Sequence, residues 1–172
     1  SSVARKLSAI RSYLRYLSRE GAIESNPAVA MSRARRPRRL PRALSRDEVT
    51  GLLSASGGDS PQAMRDHAIL ELLYSSGIRL SELVGLDVED YSPGLGSVRV
   101  FGKGAKERIA PVGSKAVAAI DRYLAGARPA LLGECDCQAL FVSKLGRRLS
   151  GRSVERVMKK YLMKAGLPWN AT

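Results

Sequence analysis

An arginine and a glutamate stand three positions apart in the segment GIRLSELVGL, residues 77–86. Arg79 follows a Ser-Ser-Gly turn at the predicted start of a short helix, so its guanidinium can project toward a phosphate, which that planar fork binds well. Glu82 lies on the same helical face and can hold the fork in place. Without other evidence, the spacing of Arg79 and Glu82 is better interpreted as an ordinary ion pair at the protein surface.

A second motif, GKGAKER at 102–108, falls between two runs that alternate like β-strands, 97–101 and 107–112. Such a pattern predicts a hairpin, and the glycines at its tip let the backbone approach a ligand closely. A mobile lysine there, Lys103, can give a proton to a leaving oxygen. By itself, this motif favours a solvated, charged turn.

The composition excludes several classes of protein. The chain has 172 residues, 44% of them hydrophobic, which allows one domain or a domain with part of another. No apolar run approaches the ~18 residues of a membrane span, and no signal-peptide pattern is present, so no membrane association is expected. Two cysteines, Cys135 and Cys137, fit a reducing cytoplasm, and with one histidine, His67, they are too few for a typical zinc site. We expect a cytoplasmic protein without a metal or cofactor.

The formal net charge of +13 is concentrated in two blocks. Residues 1–44 hold eleven basic and two acidic side chains, and residues 144–164 hold eight and one. The residues between them, 45–143, are slightly acidic. Two basic blocks indicate a polyanionic partner such as duplex DNA, although a generally basic protein without such a partner remains an alternative.

Apolar spacing and turn residues predict a mainly α fold with a small antiparallel β-hairpin. An Arg/Pro-rich linker at 33–44 separates a helical segment, 1–32, from a larger domain, 45–172. We predict helices over 3–20, 46–55, 61–75, 80–84, 114–126 and 151–165, a loop over 128–140 and a short strand over 140–142. His67 lies within the third of these helices and is expected to be structural.

The last predicted helix carries a basic stripe, because Arg152, Arg156, Lys160 and Lys164 recur at a spacing of four. Its apolar residues, among them Val154, Val157 and Tyr161, can face the core. A similar stripe on the first helix also predicts DNA contacts, with a solvated basic face as the alternative. The Arg/Pro-rich linker and the basic hairpin tip predict further contacts, and a disordered tail or a targeting signal is the alternative for the linker. The predicted DNA-binding residues are Arg11, Arg15, Arg19, Arg35, Arg36, Arg38, Arg39, Lys106, Arg108, Arg152, Arg156 and Lys160.

The order and spacing of these motifs resemble the tyrosine recombinases of the phage integrase family, most closely the Xer-type subgroup that resolves bacterial chromosome dimers. The motif GIRLSEL is followed by GKGAKER with 24 residues from Arg79 to Lys103. The segment LSRDEV resembles the start of that family's catalytic domain, and AGLPWNAT resembles the segment before its His-x-x-Arg box. The resemblance implies a partial catalytic domain preceded by the end of a helical, SAM-like core-binding domain.

The resemblance also implies a reaction, in which DNA strands are broken and rejoined through a 3′-phosphotyrosyl intermediate. Arg79 would stabilise charge on the phosphate, Lys103 would protonate the leaving 5′-oxygen, and Glu82 would support Arg79. No metal or cofactor is implied. The implied partners are a double-stranded recombination site, a second recombinase subunit in a tetrameric synapse, and a septal DNA translocase.

The chain departs from the family pattern in one respect. It ends before the positions of the family's His-x-x-Arg box, later His or Trp, and tyrosine nucleophile, and none of its six tyrosines matches that nucleophile. We therefore expect the 172-residue chain to bind DNA without cleaving it. The alternatives are a phage, transposon or integron integrase of the same family, a type IB topoisomerase, and a DNA-binding relative without catalysis.

Overall fold

The computed structural model describes residues 2–29, 43–102, 104 and 106–168. It divides into two compact units, Ser1–Leu40 and Pro41–Thr172. The division falls in the predicted linker, whose residues 33–42 lie outside the described ranges, as do Lys103 and residues 169–172. That the first unit is part of a core-binding domain stays a prediction.

The described part of the first unit contains helix α1 (Ser2–Arg19) and a 3-10 turn (Pro27–Val29). Its boundaries confirm the helix predicted over 3–20. Leu7, Leu14 and Leu17 are half-buried on its apolar face. Of the three basic side chains predicted to contact DNA, Arg15 and Arg19 are exposed and Arg11 is half-buried.

The second unit is mostly helical, as predicted. Its helices begin where the sequence supplies caps: Ser45 and Glu48 form a reciprocal capping box, and Ser60 and Ser150 each accept a backbone N–H. The helices are α2 (Arg46–Ala55), α3 (Pro61–Ser76), α4 (Leu80–Gly85), α5 (Ser114–Arg122), α6 (Arg128–Leu132) and α7 (Gly151–Lys164). Among the described residues, no helix is long and apolar enough to cross a membrane.

The region after α5 differs from the prediction. A π-helical turn, Tyr123–Ala127, leads directly into α6, so the loop predicted over 128–140 is wrong in its first part. Pro129 does not prevent α6 because it lies in the first turn, where a helix needs no N–H from that residue.

The sheet has three antiparallel strands in the order β1 (Tyr91–Ser92), β2 (Ser97–Phe101) and β3 (Glu107–Pro111). The hairpin of β2 and β3 confirms the prediction, whereas β1 is too short to produce a pattern in the sequence. The strand predicted over 140–142 is wrong, since that segment forms only an isolated bridge, Val142 with Arg148. The side chain of Arg65 donates to Val142 O at 3.0 Å.

Two apolar clusters hold the second unit together, and α3 contributes to both. The larger joins Ile69 and Leu72 of α3 to Val98 and Val100 of β2 and to Ile120 of α5. The smaller places Leu70 of α3 against Leu52 of α2 and against Val157, Tyr161 and Leu162 of α7. The predicted apolar face of α7 is therefore confirmed. Helix α3 packs against other elements in both clusters.

Gly77 ends α3 and directs the chain toward Arg79, with a positive φ of 59°. A Cβ built there meets nothing within 4 Å, so the cost of Gly77→Ala is conformational rather than steric. We expect the substitution to lower the free energy of unfolding by about 1 kcal/mol, measured by urea denaturation.

Gly85→Ala is the matched control, because a Cβ at Gly85 also meets nothing within 4 Å but the residue lies in a helix. It should leave stability unchanged or raise it by up to ~1 kcal/mol. Equal effects of the two substitutions would contradict the conformational explanation for Gly77.

Candidate functional site

Arg79 stands between α3 and α4 in extended backbone, with φ −73° and ψ 155°. The turn before it is anchored at both ends, because Gly77 donates its N–H to Leu73 O at 3.1 Å and Ile78 is buried. The side chain of Arg79 is 73% exposed. Because the buried Ile78 fixes the backbone next to Arg79, the exposed guanidinium extends toward solvent from a defined position.

The carboxylate of Glu82 is the centre of the site. Its Oε2 accepts the backbone N–H of Arg79 at 2.8 Å and Nη2 of Arg108 at 2.9 Å, and its Oε1 accepts Nη1 of Arg79 at 2.9 Å. The side chain is only 2% exposed. The structure thus brings Arg79 and Glu82 together in the arrangement that their spacing predicted.

The pKa of Glu82 is lowered from its ordinary value by these three donors. The backbone N–H of Arg79 has the largest effect, and the side chains of Arg79 and Arg108 act in the same direction, while burial opposes them. Hydrogen bonds from N–H groups stabilise the charged form of a carboxylate. Glu82 is therefore ionised at neutral pH and can hold a guanidinium.

The hairpin begins beside this carboxylate. Gly102 N donates to Lys106 O at 2.8 Å, which closes the tip, and a Cβ built on Gly102 would lie 3.8 Å from Glu82 Oε1. Lys103, the predicted proton donor, follows Gly102 in the chain and lies outside the described residues. Lys106, a predicted DNA contact, is exposed.

An open cleft of about 520 Å³ lies in front of the site, lined by Arg79, Ser81, Glu82, Phe101 and Gly102. The ring of Phe101 is half exposed, and the guanidinium of Arg99 lies 5.7 Å from its centroid. Nη1 of Arg79 binds Glu82, and the side chain is largely exposed and lines the cleft. The other N–H groups of its guanidinium can therefore bind a phosphate oxygen in the cleft.

The four basic side chains of the stripe on α7 differ in their contacts. Arg152 and Arg156 are exposed, and Nε of Arg156 lies 3.4 Å from the carbonyl of Arg152. Lys160 Nζ lies 3.1 Å from Tyr161 Oη and 3.4 Å from Oδ2 of the buried Asp66, and these contacts raise its pKa. Lys164 Nζ donates to Ala55 O, the last residue of α2. The side chains of Lys160 and Lys164 thus contact other elements of the fold. The DNA contacts on α7 stay predictions.

The remaining candidates are structural or unassigned. His67 Nδ1 lies 2.7 Å from Ser56 Oγ, which ties α3 to the end of α2, and His67 Nε2 lies 4.0 Å from Glu71 Oε1 within α3. Within the described ranges, no group of three or more His, Cys, Asp or Glu residues is placed to hold a metal ion. The linker arginines Arg35, Arg36, Arg38 and Arg39 lie outside those ranges.

Sequence reasoning treated Arg108 only as a DNA contact and missed its bond to Glu82. One signal pointed to that bond: Arg108 lies two residues before Ala110, so the alternation of β3 places both on the face that turns toward the core. The identity of its partner could not be read, because 26 residues separate Arg108 from Glu82.

Residues 42–171 match the phage integrase family, and the chain belongs to that family. It is 49% identical over 166 residues to tyrosine recombinase XerC of Natranaerobius thermophilus, covering 94% of this chain and 55% of that protein. It is 41% identical over 167 residues to tyrosine recombinase XerD of Vibrio vulnificus, covering 97% and 55%. The chain spans about half the length of the curated relatives it matches.

The fold is shared with solved recombinases. The XerA recombinase aligns with a TM-score of 0.68 at 25% identity, over 95% of this chain and 62% of that one. Lambda integrase bound to DNA aligns with a TM-score of 0.71 at 20% identity, over 99% and 59%. These comparisons confirm both the resemblance to Xer-type recombinases and the predicted fold class.

The lowered pKa of Glu82 makes part of the folding stability depend on pH. A carboxylate whose pKa is lower in the folded than in the unfolded chain stabilises the fold above its unfolded-state pKa, and this contribution is lost as pH falls through the folded-state value. Glu82→Gln should therefore be less stable than the native chain at neutral pH. The difference should shrink as pH falls below the ordinary value of 4.5.

Urea denaturation over a pH series measures this difference. Glu89→Gln is the control, because the side chain of Glu89 is 80% exposed and contacts Arg99 only at 3.6 Å. Its difference from the native chain should be small at every pH. A difference for Glu82→Gln that does not shrink in acid would show that its charge is not what stabilises the site.

Proposed function

We propose that this chain is the DNA-binding and phosphate-binding part of a Xer-type site-specific recombinase. The observation that carries the proposal is the exposed guanidinium of Arg79, held by the buried carboxylate of Glu82 at the edge of an open cleft. Membership of the phage integrase family and the identity to XerC and XerD support it.

The reaction exchanges one phosphodiester for another. The phenolate oxygen of a tyrosine from outside this chain attacks the DNA phosphorus, the bond from phosphorus to the 5′-oxygen breaks, and a 3′-phosphotyrosyl link forms. The 5′-oxygen leaves as a hydroxyl with a proton from Lys103. A 5′-hydroxyl of a second strand reverses these steps, so the energy of the broken bond is retained and no cofactor is required.

Arg79 stabilises the transition state of this reaction. Its guanidinium binds a non-bridging phosphate oxygen, and it can do so without reorganising because Glu82 already fixes it. A donor aimed at developing charge in this way contributes mostly to the rate of cleavage rather than to binding of the DNA. The cationic side chains provide the charge neutralisation, so the proposal includes no metal ion.

Duplex DNA is the proposed partner, bound through both basic blocks of the chain. Lambda integrase, which shares the fold, has been solved as a tetramer bound to a Holliday junction, with a TM-score of 0.69 at 19% identity. By analogy, we propose a second recombinase subunit in a tetrameric synapse. Chromosome dimer resolution in the cytoplasm, with a septal DNA translocase, is the corresponding cellular role.

A mobile-element integrase of the same family is the second candidate function. The shared fold with lambda integrase favours it, and the chemistry at Arg79 would be the same. The genes next to this one distinguish the two, since a mobile element would place the gene among phage or transposon functions.

The salt dependence of DNA affinity tests the binding surface. Arg156→Gln should flatten the slope of log K against log salt by about 0.9, because each lost phosphate contact releases about one counterion fewer. Arg122→Gln is the control, since Arg122 is similarly exposed but lies outside the basic blocks, paired with Asp59 at 2.6 Å. Fluorescence anisotropy with a labelled duplex measures both.

An unchanged slope for Arg156→Gln would exclude the proposed contact on α7. The same chain incubated with a nicked suicide duplex should form no covalent adduct, because the proposed nucleophile lies outside it. An adduct at any of its six tyrosines would contradict that assignment.

The roles of Arg79 and Lys103 can be separated in a protein of the relatives' full length that contains this chain. Both Arg79→Ala and Lys103→Ala should slow cleavage, by roughly 100-fold or more for Arg79→Ala. A substrate with a 5′-thiolate leaving group needs no proton donor, so it should restore the rate of Lys103→Ala but not that of Arg79→Ala. Single-turnover cleavage rates provide the measurement.

Failure of the thiolate substrate to rescue Lys103→Ala would remove Lys103 as the general acid. Lys106 would then be the next candidate. Rescue of both variants would contradict the transition-state role of Arg79.

A further inference from the structure

We propose that Arg108 is a positioning residue, which fixes the hairpin of β2 and β3 against the turn that carries Arg79, rather than a contact to DNA phosphate. The proposal rests on the proposed function in taking Arg79 as the phosphate ligand and the hairpin tip as the carrier of the proton donor. It replaces the role that the sequence suggested for Arg108.

Arg79 and Arg108 share one carboxylate. Oε2 of Glu82 accepts both the backbone N–H of Arg79 and Nη2 of Arg108, while Oε1 accepts Nη1 of Arg79. The side chain of Glu82 is 2% exposed. A single buried group therefore fixes the start of α4 and the second strand of the hairpin relative to each other.

The place of Arg108 in β3 sets the direction of its side chain. It pairs with Val100 of β2, and Val100 and Ala110 are both buried on the face turned toward α4. Ile109, between Arg108 and Ala110, points the opposite way and is 72% exposed. The strand thus sets the direction of the Arg108 side chain, and its guanidinium reaches Glu82.

Arg108 also lies close to the tip of the hairpin. Gly102 and Lys106 close the tip with a 2.8 Å hydrogen bond, and Arg108 is two residues from that closure. Gly102 itself brings the chain to Glu82, since a Cβ built on it would lie 3.8 Å from Oε1. Gly102, which follows β2, and Arg108 of β3 therefore lie close to the same carboxylate on the two sides of the hairpin tip.

The variants Arg108→Gln and Arg108→Lys separate positioning from phosphate contact. Arg108→Gln removes the charge, and Arg108→Lys keeps a donor for Glu82. Arg99→Gln is the matched control: Arg99 lies on the other face of the same hairpin, its side chain is 41% exposed against 43% for Arg108, and it also pairs with a buried carboxylate, Asp90, at 2.9 Å.

Two measurements on the whole 172-residue chain need no DNA. Hydrogen exchange follows the backbone amides of residues 106–110, and NMR relaxation of the Arg79 Nε–H group follows the order of its guanidinium. Arg108→Gln should speed exchange in the hairpin by about tenfold or more and should increase the mobility of the Arg79 side chain. Arg108→Lys should partly restore the slow hydrogen exchange and the order of the Arg79 side chain. Arg99→Gln should leave the NMR relaxation of the Arg79 Nε–H group unchanged.

A third measurement uses duplex DNA. If Arg108 is a positioning residue, Arg108→Gln leaves the slope of log K against log salt unchanged, whereas loss of a phosphate contact would flatten it by about 0.9. A flattened slope, or an Arg79 signal that is the same in Arg108→Gln and the native chain, would overturn the proposal. Failure of the native chain to bind DNA would contradict the proposed function, while the two DNA-free measurements would still decide the role of Arg108.

Discussion

A buried carboxylate with three N–H partners among the described residues is the interaction on which the rest of the site depends. An ionised group removed from water is costly unless its oxygens are paired, and Glu82 is paired twice by Arg79 and once by Arg108. Those three bonds determine where α4 begins, where the guanidinium of Arg79 stands and how the hairpin approaches. The chemistry proposed for this chain follows from that geometry, because an arginine that is already fixed needs no reorganisation when it meets a phosphate.

The scaffold supports this carboxylate from two directions. From α3, whose two sides form both apolar clusters, the chain passes through the left-handed Gly77 and the buried Ile78 to Arg79. From the sheet, Val98 and Val100 fix β2 in the core, and β3 follows in register with it. Helix and hairpin are each held by burial of apolar side chains, and the polar contacts of Glu82 join them at their exposed ends.

The local features of this fold could be predicted from the sequence, and the long-range contacts could not. The capping box of Ser45 and Glu48 and the spacing of Arg79 and Glu82 act within one turn, so residue types alone identify them. Lys160 meets Asp66 across 94 residues, and the apolar pattern of α7 gives no sign of that partner. The sequence predicts a loop at Pro129, because a helix accepts a proline only in its first turn and the start of α6 cannot be read from the sequence. The position of Lys103, the second residue on which the proposed reaction depends, lies outside the described ranges.

The proposed site requires that Glu82 is ionised and bound by two arginines in the folded chain. The most direct measurement is an NMR pH titration of the Glu82 side-chain carboxyl carbon in the folded protein. Hydrogen bonds to the charged form predict a midpoint below the ordinary value of 4.5, and Arg108→Gln should move it upward. A midpoint at or above 4.5 in the native chain would contradict the arrangement, because the N–H donors of Arg79 and Arg108 should lower it.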